Sequence, residues 1–248
     1  GTCYFAMELV DGETVDDKLE NEGALRADEA YNIALKIAGA MEYAWDRRKL
    51  THGDIKPENI IISRRGEPKL ADLGLAKSAF DDDVGHIAAT PLYAPPEVIK
   101  RSVDSVNVQT DIYSFGGTVY HMFAGVPPFN EEDSEKVMKM HLYDKHEPLY
   151  KRVPVITRSL SDFVDRMLAK DPADRPESWS EIVEFMEDSA EDSFRVVETE
   201  TTVTQHKSSR FERLVPIGLI TILVGVTGWF IWDYFAGGKV SESGSQKA

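Results

Sequence analysis

The sequence predicts a mainly α-helical α+β domain with short β-hairpins, followed by one membrane-crossing helix. Three observations carry this expectation. Ala27, Ala30, Ile33, Ala34, Ile37, Ala38, Met41, Ala44 and Trp45 recur at three- and four-residue spacing, which draws a single apolar helix face. Ile60-Ile61-Ile62 and Lys69-Leu70-Ala71 flank an Arg65-Gly66 turn, the pattern of a small hairpin. Leu214 to Trp232 runs nineteen residues without a charge. As a helix that run is about 28 Å long, close to the hydrocarbon thickness of a bilayer.

Each element has its own signature. The hairpin would bring Asn59 and Asp72 to neighbouring strand ends. Residues 111–124 are apolar nearly all round, as a helix buried at the centre of a domain should be. Asp111 at its start reads either as a helix cap or as a partner for another loop. Ser178-Trp179-Ser180-Glu181 has capping-box spacing ahead of Ile182, Val183, Phe185 and Met186. Residues 188–213 are acidic and then Ser/Thr-rich, with little apolar periodicity, and read as a flexible linker. Thr199, Thr201, Thr202 and Thr204 there are either phosphoacceptors or a plain polar spacer.

The span itself is bounded consistently. Pro216 falls in the first turn, where proline is tolerated. Trp229, Trp232 and Tyr234 gather at the far end, as interfacial aromatics do. Lys207, Arg210 and Arg213 precede the span, so the preceding part is expected in the cytoplasm and residues 236–248 outside. Thr221 and Gly225 have the four-residue spacing of a helix-pairing face, which would allow a homodimer through the membrane.

Composition sets outer limits. The 248 residues, 42% hydrophobic and 10% aromatic, suit one medium domain with extensions. A net charge of −15 argues against nucleic acid as a partner, because phosphate-tracking proteins need a basic face. Cys3 is the one cysteine and cannot form an internal disulfide. The six histidines are scattered, with no zinc-type spacing; apart from His52 they read as ordinary surface or core residues.

The chemistry is concentrated in Thr51-His52-Gly53-Asp54-Ile55-Lys56-Pro57-Glu58-Asn59, followed by Asp72-Leu73-Gly74. A lone His-x-Asp is equally an Asp in a turn. Four further segments follow in order: Ala89-Thr90-Pro91-Leu92-Tyr93-Ala94-Pro95-Pro96-Glu97, Asp111-Ile112-Tyr113-Ser114-Phe115-Gly116, Asp171-Pro172-Ala173-Asp174-Arg175-Pro176 and, upstream, Tyr4-Phe5-Ala6-Met7-Glu8-Leu9-Val10-Asp11-Gly12. Together they resemble the protein kinases over residues 1–187, specifically the bacterial receptor-type serine/threonine kinases.

The resemblance implies a protein-kinase-like fold represented by the hinge and C-lobe, and it assigns roles. Asp54 would accept the proton of the attacking hydroxyl. Lys56 would neutralise charge on the transferred phosphoryl group. Asn59 and Asp72 would hold Mg2+, or Mn2+, against the phosphates of ATP through oxygen atoms. The Glu8 carbonyl and the Val10 amide would hydrogen-bond adenine, with Ile61 beneath it and Met7 as gatekeeper. Thr90 would lie in the substrate loop, Glu97 would pair with Arg175, and Asp111 would bind the catalytic-loop backbone. Protein serine and threonine hydroxyls would be the substrates.

Departures from the family qualify this. No Gly-x-Gly-x-x-Gly loop and no Val-Ala-Ile-Lys lysine stand before residue 12, so most of the N-lobe is missing from this sequence. The chain alone is expected to bind ATP poorly. Gly53 replaces the usual arginine, and Ser78 is the sole hydroxyl between Gly74 and Thr90, beside Asp81-Asp82-Asp83. Loop phosphorylation is therefore not expected to switch activity. The domain reading is kinase at 1–187, linker at 188–213, membrane helix at 214–235 and an extracytoplasmic tail at 236–248. The location is expected to be the bacterial plasma membrane, single-pass. Two alternatives stand. One is a pseudokinase scaffold. The other is a small-molecule phosphotransferase of the aminoglycoside type, which shares His-Gly-Asp with an Asn five residues later but lacks the Lys-Pro-Glu-Asn and Ala-Pro-Glu segments.

Overall fold

Thr14 sets the start of the first helix. Its hydroxyl accepts from the Asp17 amide, while the Asp17 carboxylate takes the Thr14 amide in return. That reciprocal cap joins strand β1 (Gly12–Thr14) to helix α1 (Val15–Glu22). The computed structural model describes residues 8–72, 77–78, 90–100 and 106–190. All of them lie in the first of two compact units, Gly1–Glu198. The start of the Tyr4–Gly12 segment, with the gatekeeper Met7, lies outside the described residues. So do the acidic loop 81–83, the linker 191–213 and the membrane segment 214–235.

Helix α2 (Ala27–Arg48) buries Ala30, Tyr31, Ile33, Ala34, Ile37, Ala38 and Met41, with Ala27 and Trp45 packed at the edge of the same cluster. The chain then turns through β2 (Leu50–Thr51) into a 3-10 turn at Pro57–Asn59. Strands β3 (Ile60–Ser63) and β4 (Pro68–Leu70) form the expected hairpin, paired Ile60 to Leu70 and Ile62 to Pro68. The second strand sits one residue earlier than its sequence pattern suggests. Beyond it the Ala71 amide still donates to the Asn59 carbonyl at 2.7 Å, in the same register as the β3-β4 pairs. β1 joins this hairpin on its other edge, giving the antiparallel order β1-β3-β4. β2 pairs with β5 (Lys77–Ser78) in a separate two-stranded sheet.

The remainder is helical: α3 (Pro96–Ile99), α4 (Val108–Ala124), α5 (Ser134–Tyr143), α6 (Leu149–Arg152), α7 (Arg158–Met167) and α8 (Trp179–Asp188). α4 is the buried central helix, and it packs against α2, α6 and α7. Gly116 permits the closest of these crossings, since a Cβ there would lie 2.7 Å from Met167 Cβ. α8 packs along α2, and the Tyr31 hydroxyl donates to the Met186 carbonyl between them.

One helix start and one helix cap differ from the sequence reading. α4 begins at Val108, three residues before Asp111, because Asn107 accepts from the Gln109 and Thr110 amides and is capped in return by Thr110. A cap of this kind stabilises a helix by about 0.5–2 kcal/mol. Asp111 is thereby released from capping. At α8, Ser178 accepts from the Glu181 amide, but the Glu181 carboxylate reaches the Glu177 amide rather than that of Ser178. The same carboxylate also pairs with Arg166 on α7 at 2.6 Å, and that second partner draws it away from the closed box. Among the described residues no helix is long and apolar enough to cross a membrane.

Candidate active site

The loop between β2 and the 3-10 turn is built from buried polar groups, each with a partner. His52 has no solvent exposure. Its Nε2 lies 3.0 Å from the Ala71 carbonyl, and its Nδ1 lies 3.3 Å from the Asp54 amide. A carbonyl can only accept, so Nε2 carries the proton and Nδ1 receives one from the amide. Burial pushes the imidazole below its ordinary value, which favours that neutral form. His52 thus fixes the distance between the Asp54 loop and the end of β4.

Asp111 supplies the second anchor. Its Oδ2 accepts the His52 amide at 2.7 Å, and its Oδ1 accepts the Gly53 amide at 2.8 Å. Burial pushes this carboxyl up to about 7, against the two amides, which favour the ionised form. Gly53 holds φ at 85°, in the left-handed region where glycine is strain-free.

Around Asp54 three groups converge. Lys56 Nζ lies 2.8 Å from Asp54 Oδ2 and donates to Thr90 Oγ1 at 2.9 Å. Thr90 Oγ1 in turn lies 3.3 Å from Asp54 Oδ1. Asn59 Nδ2 donates to the Asp54 carbonyl at 2.7 Å and to Oδ2 at 3.1 Å. Asp72 follows Ala71, whose amide is bonded to Asn59, so the strand ends stand side by side. Asp72 is exposed and holds φ at 62°, a conformation that Asp tolerates better than most residues.

The nucleotide-side candidates occupy the sheet. Glu8 and Val10 lie in the segment entering β1, and the Asp11 carbonyl accepts the Arg64 amide at 3.0 Å. The Glu8 carboxylate pairs with Lys69, which stands opposite Ile61 in the β3-β4 register. Ile61 points to the face opposite Ile60 and Ile62, by strand alternation. Ile60 and Ile62 pack into the core and Ile61 is half-buried.

The lower support is an ion pair. Arg175 Nη1 and Nη2 lie 2.7 and 2.8 Å from the two oxygens of Glu97, and the guanidinium is fully buried. Arg175 also donates to the Ala169 and Gln109 carbonyls and covers the Tyr113 ring. Four of the five N–H donors of the guanidinium are used in this way.

A divalent cation fits the donor set. Among the described residues no cluster of three or more His, Cys, Asp or Glu could hold a metal. Mg2+ needs no such cage, because it is bound by one or two protein oxygens together with phosphates and water. Asn59 has committed its Nδ2 to Asp54, so its remaining polar atom, Oδ1, is the one suited to a cation. Asp72 adds a carboxylate at the adjacent strand end.

Two histidines that the sequence reading passed over also belong to this region. His141 and His121 contact the Pro91–Tyr93 turn. Both partners come from distant parts of the chain, and that is why spacing alone does not single them out.

Residues 1–186 match the family described as protein kinase domain. The chain is 33% identical over 187 residues to a probable serine/threonine-protein kinase of Clostridium perfringens, covering 74% of this chain and 27% of that protein. It is 29% identical over 191 residues to the serine/threonine-protein kinase PknK of Mycobacterium bovis, covering 76% and 17%. It is 30% identical over 184 residues to a probable serine/threonine-protein kinase PknB of Bifidobacterium longum, covering 72% and 26%. The chain thus spans between about a sixth and just over a quarter of the length of these relatives.

Proposed function

This chain belongs to the protein kinase domain family, and from that premise we propose that it forms the catalytic C-lobe of a serine/threonine protein kinase. The observation that carries the reading is the placement of one hydroxyl, Thr90 Oγ1, between Asp54 Oδ1 and Lys56 Nζ. A substrate hydroxyl entering the same gap meets a proton acceptor on one side and a cation on the other. Asp54 takes the proton as the hydroxyl oxygen bonds to the γ-phosphorus of ATP and the bond from that phosphorus to the bridging oxygen breaks, releasing ADP. Lys56 stabilises the negative charge that builds on the phosphoryl oxygens. Asn59 holds the Asp54 carboxylate in orientation and, with Asp72, would bind the cation. Magnesium-bound ATP, or its manganese form, supplies the phosphoryl group and neutralises its charge.

The proposal extends to location. Residues 214–235, which lie outside the described residues, have the length and aromatic boundary of a single membrane span. Lys207, Arg210 and Arg213 support a cytoplasmic kinase, and Thr221 with Gly225 supports pairing of two copies. Alkaline carbonate extraction of native membranes is expected to leave the intact protein in the pellet. Release into the supernatant would remove the anchor from the proposal.

Incubation of the intact protein with magnesium and γ-labelled ATP tests the chemistry. Label is expected on serine and threonine of proteins. Transfer to an amino sugar and to no protein would replace the reading with a small-molecule phosphotransferase. Nucleotide binding with no transfer would replace it with a scaffold.

A further inference from the structure

We infer that His141 is a positioning residue for the peptide-binding turn Pro91–Tyr93, acting through its Nε2–H on the Leu92 carbonyl. The inference rests on the kinase reading above and extends it to the protein-substrate side of the site.

Helix α5, which carries His141, lies at the surface. Only Val137 and His141 are buried along it, and it packs on the Pro91–Tyr93 turn and on α3. His141 is fully enclosed. Its Nε2 lies 3.1 Å from the Leu92 carbonyl, and its Nδ1 lies 2.8 Å from the Tyr113 hydroxyl on α4. The carbonyl fixes the tautomer, so Nε2 donates and Nδ1 accepts from Tyr113. Phe129 packs edge-on against the imidazole at 4.8 Å between ring centres, which leaves it one plane to occupy. Lys170 lies over the Phe129 ring and donates to the Met140 carbonyl at 3.3 Å, next to His141 in α5.

The Tyr113 ring is itself covered by Arg175, the partner of Glu97. A continuous set of contacts therefore runs from the Glu97–Arg175 pair through Tyr113 and His141 to Leu92. Leu92 lies two residues from Thr90, whose hydroxyl marks the gap between Asp54 and Lys56. The same turn is held at its end by Ser114 Oγ, which donates to the Tyr93 carbonyl at 3.0 Å, and by the Tyr93 hydroxyl, 2.8 Å from His121 Nδ1. Of these holds, His141 alone comes from α5. It is therefore the residue through which the placement of α5 sets the height of the peptide-binding turn. Burial keeps the imidazole neutral, pushed down to about 3, so the donor on Nε2 persists across the physiological range.

Two variants separate positioning from packing. Glutamine places its amide nitrogen near the position of Nε2, and asparagine places its amide near Nδ1. His141→Gln keeps the donor to Leu92, whereas His141→Asn keeps only the Tyr113 contact. In the intact protein, His141→Asn is expected to raise the KM for a serine-containing peptide roughly fivefold, the worth of one buried hydrogen bond. His141→Gln is expected to stay within about twofold of the parent. The KM for ATP should not move in either variant. Equal peptide KM values in the two variants, whatever their melting temperatures, would overturn the inference and leave His141 as packing. If the parent protein transfers no phosphate to any peptide, the kinase reading fails first, and the His141 inference falls with it.

Discussion

Replacing Asp54 with asparagine is expected to lower the kcat of the intact protein about 10²- to 10⁴-fold, the usual contribution of a positioned general base. The amide oxygen can take the place of Oδ2 and accept from Lys56 and Asn59, with the amide nitrogen turned toward the Thr90 hydroxyl, so the shape of the site is kept. What the amide cannot do is take up a proton. Asn59 retains its stronger contact, to the Asp54 main-chain carbonyl at 2.7 Å, and stays in place for the cation. The KM for ATP should therefore change little while kcat falls. Steady-state kinetics on an intact preparation checks this, with thermal unfolding as a control for folding. A kcat within tenfold of the parent would remove Asp54 from the role of base.

The largest effect on stability is expected from Arg175→Ala. The guanidinium is fully buried and makes two bonds to Glu97 and two to main-chain carbonyls. Its loss strands a carboxylate in the interior and leaves the Ala169 and Gln109 carbonyls without that donor. Breaking one side of a buried pair costs about 3–5 kcal/mol, a large share of the roughly 5–15 kcal/mol that holds a domain folded. Urea unfolding of the intact protein should show this as a shifted midpoint. The double variant with Glu97→Gln should be less unstable than the sum of the two single changes, because the stranded charge is gone. A loss under about 1 kcal/mol for Arg175→Ala would mean that solvent reaches the pair and screens it. Arg175→Lys is expected to be a poor substitute, since one ammonium cannot reproduce the fork.

What sequence makes legible here is what repeats or what is spaced by covalent chemistry. The apolar face of α2 is legible because burial on one side imposes the helical period on Ala30, Ile33, Ala34, Ile37 and Met41. The placement of Asn59 beside Asp72 is legible because a hairpin brings its ends together whatever its detailed register. The start of α4 is not, because an Asn cap answered by Thr110 departs from the Ser/Thr-x-x-Glu pattern, and Asp111 offers a more conspicuous false start. The second duty of Glu181 is hidden for a different reason. Its competitor Arg166 lies on another helix, and only the packing of α7 on α8 brings them together. His141 is the clearest case. A histidine among apolar residues carries no local sign of its partners, and both Leu92 and Tyr113 come from distant parts of the chain. Glu8 and Val10 lie in the segment entering β1 and Ile61 in β3, and their role toward adenine rests on the family resemblance.

The two-oxygen grip of Asp111 on the His52 and Gly53 amides has a consequence in time. Those amides belong by outline to a loop, and loops ordinarily exchange their hydrogens with solvent through small local openings. Here the acceptor is rooted in a helix enclosed on every side, so the amides are released only when that helix gives way. Their exchange should follow the slowest opening of the domain, and the loop that performs the chemistry would be among the last parts of the molecule to come undone.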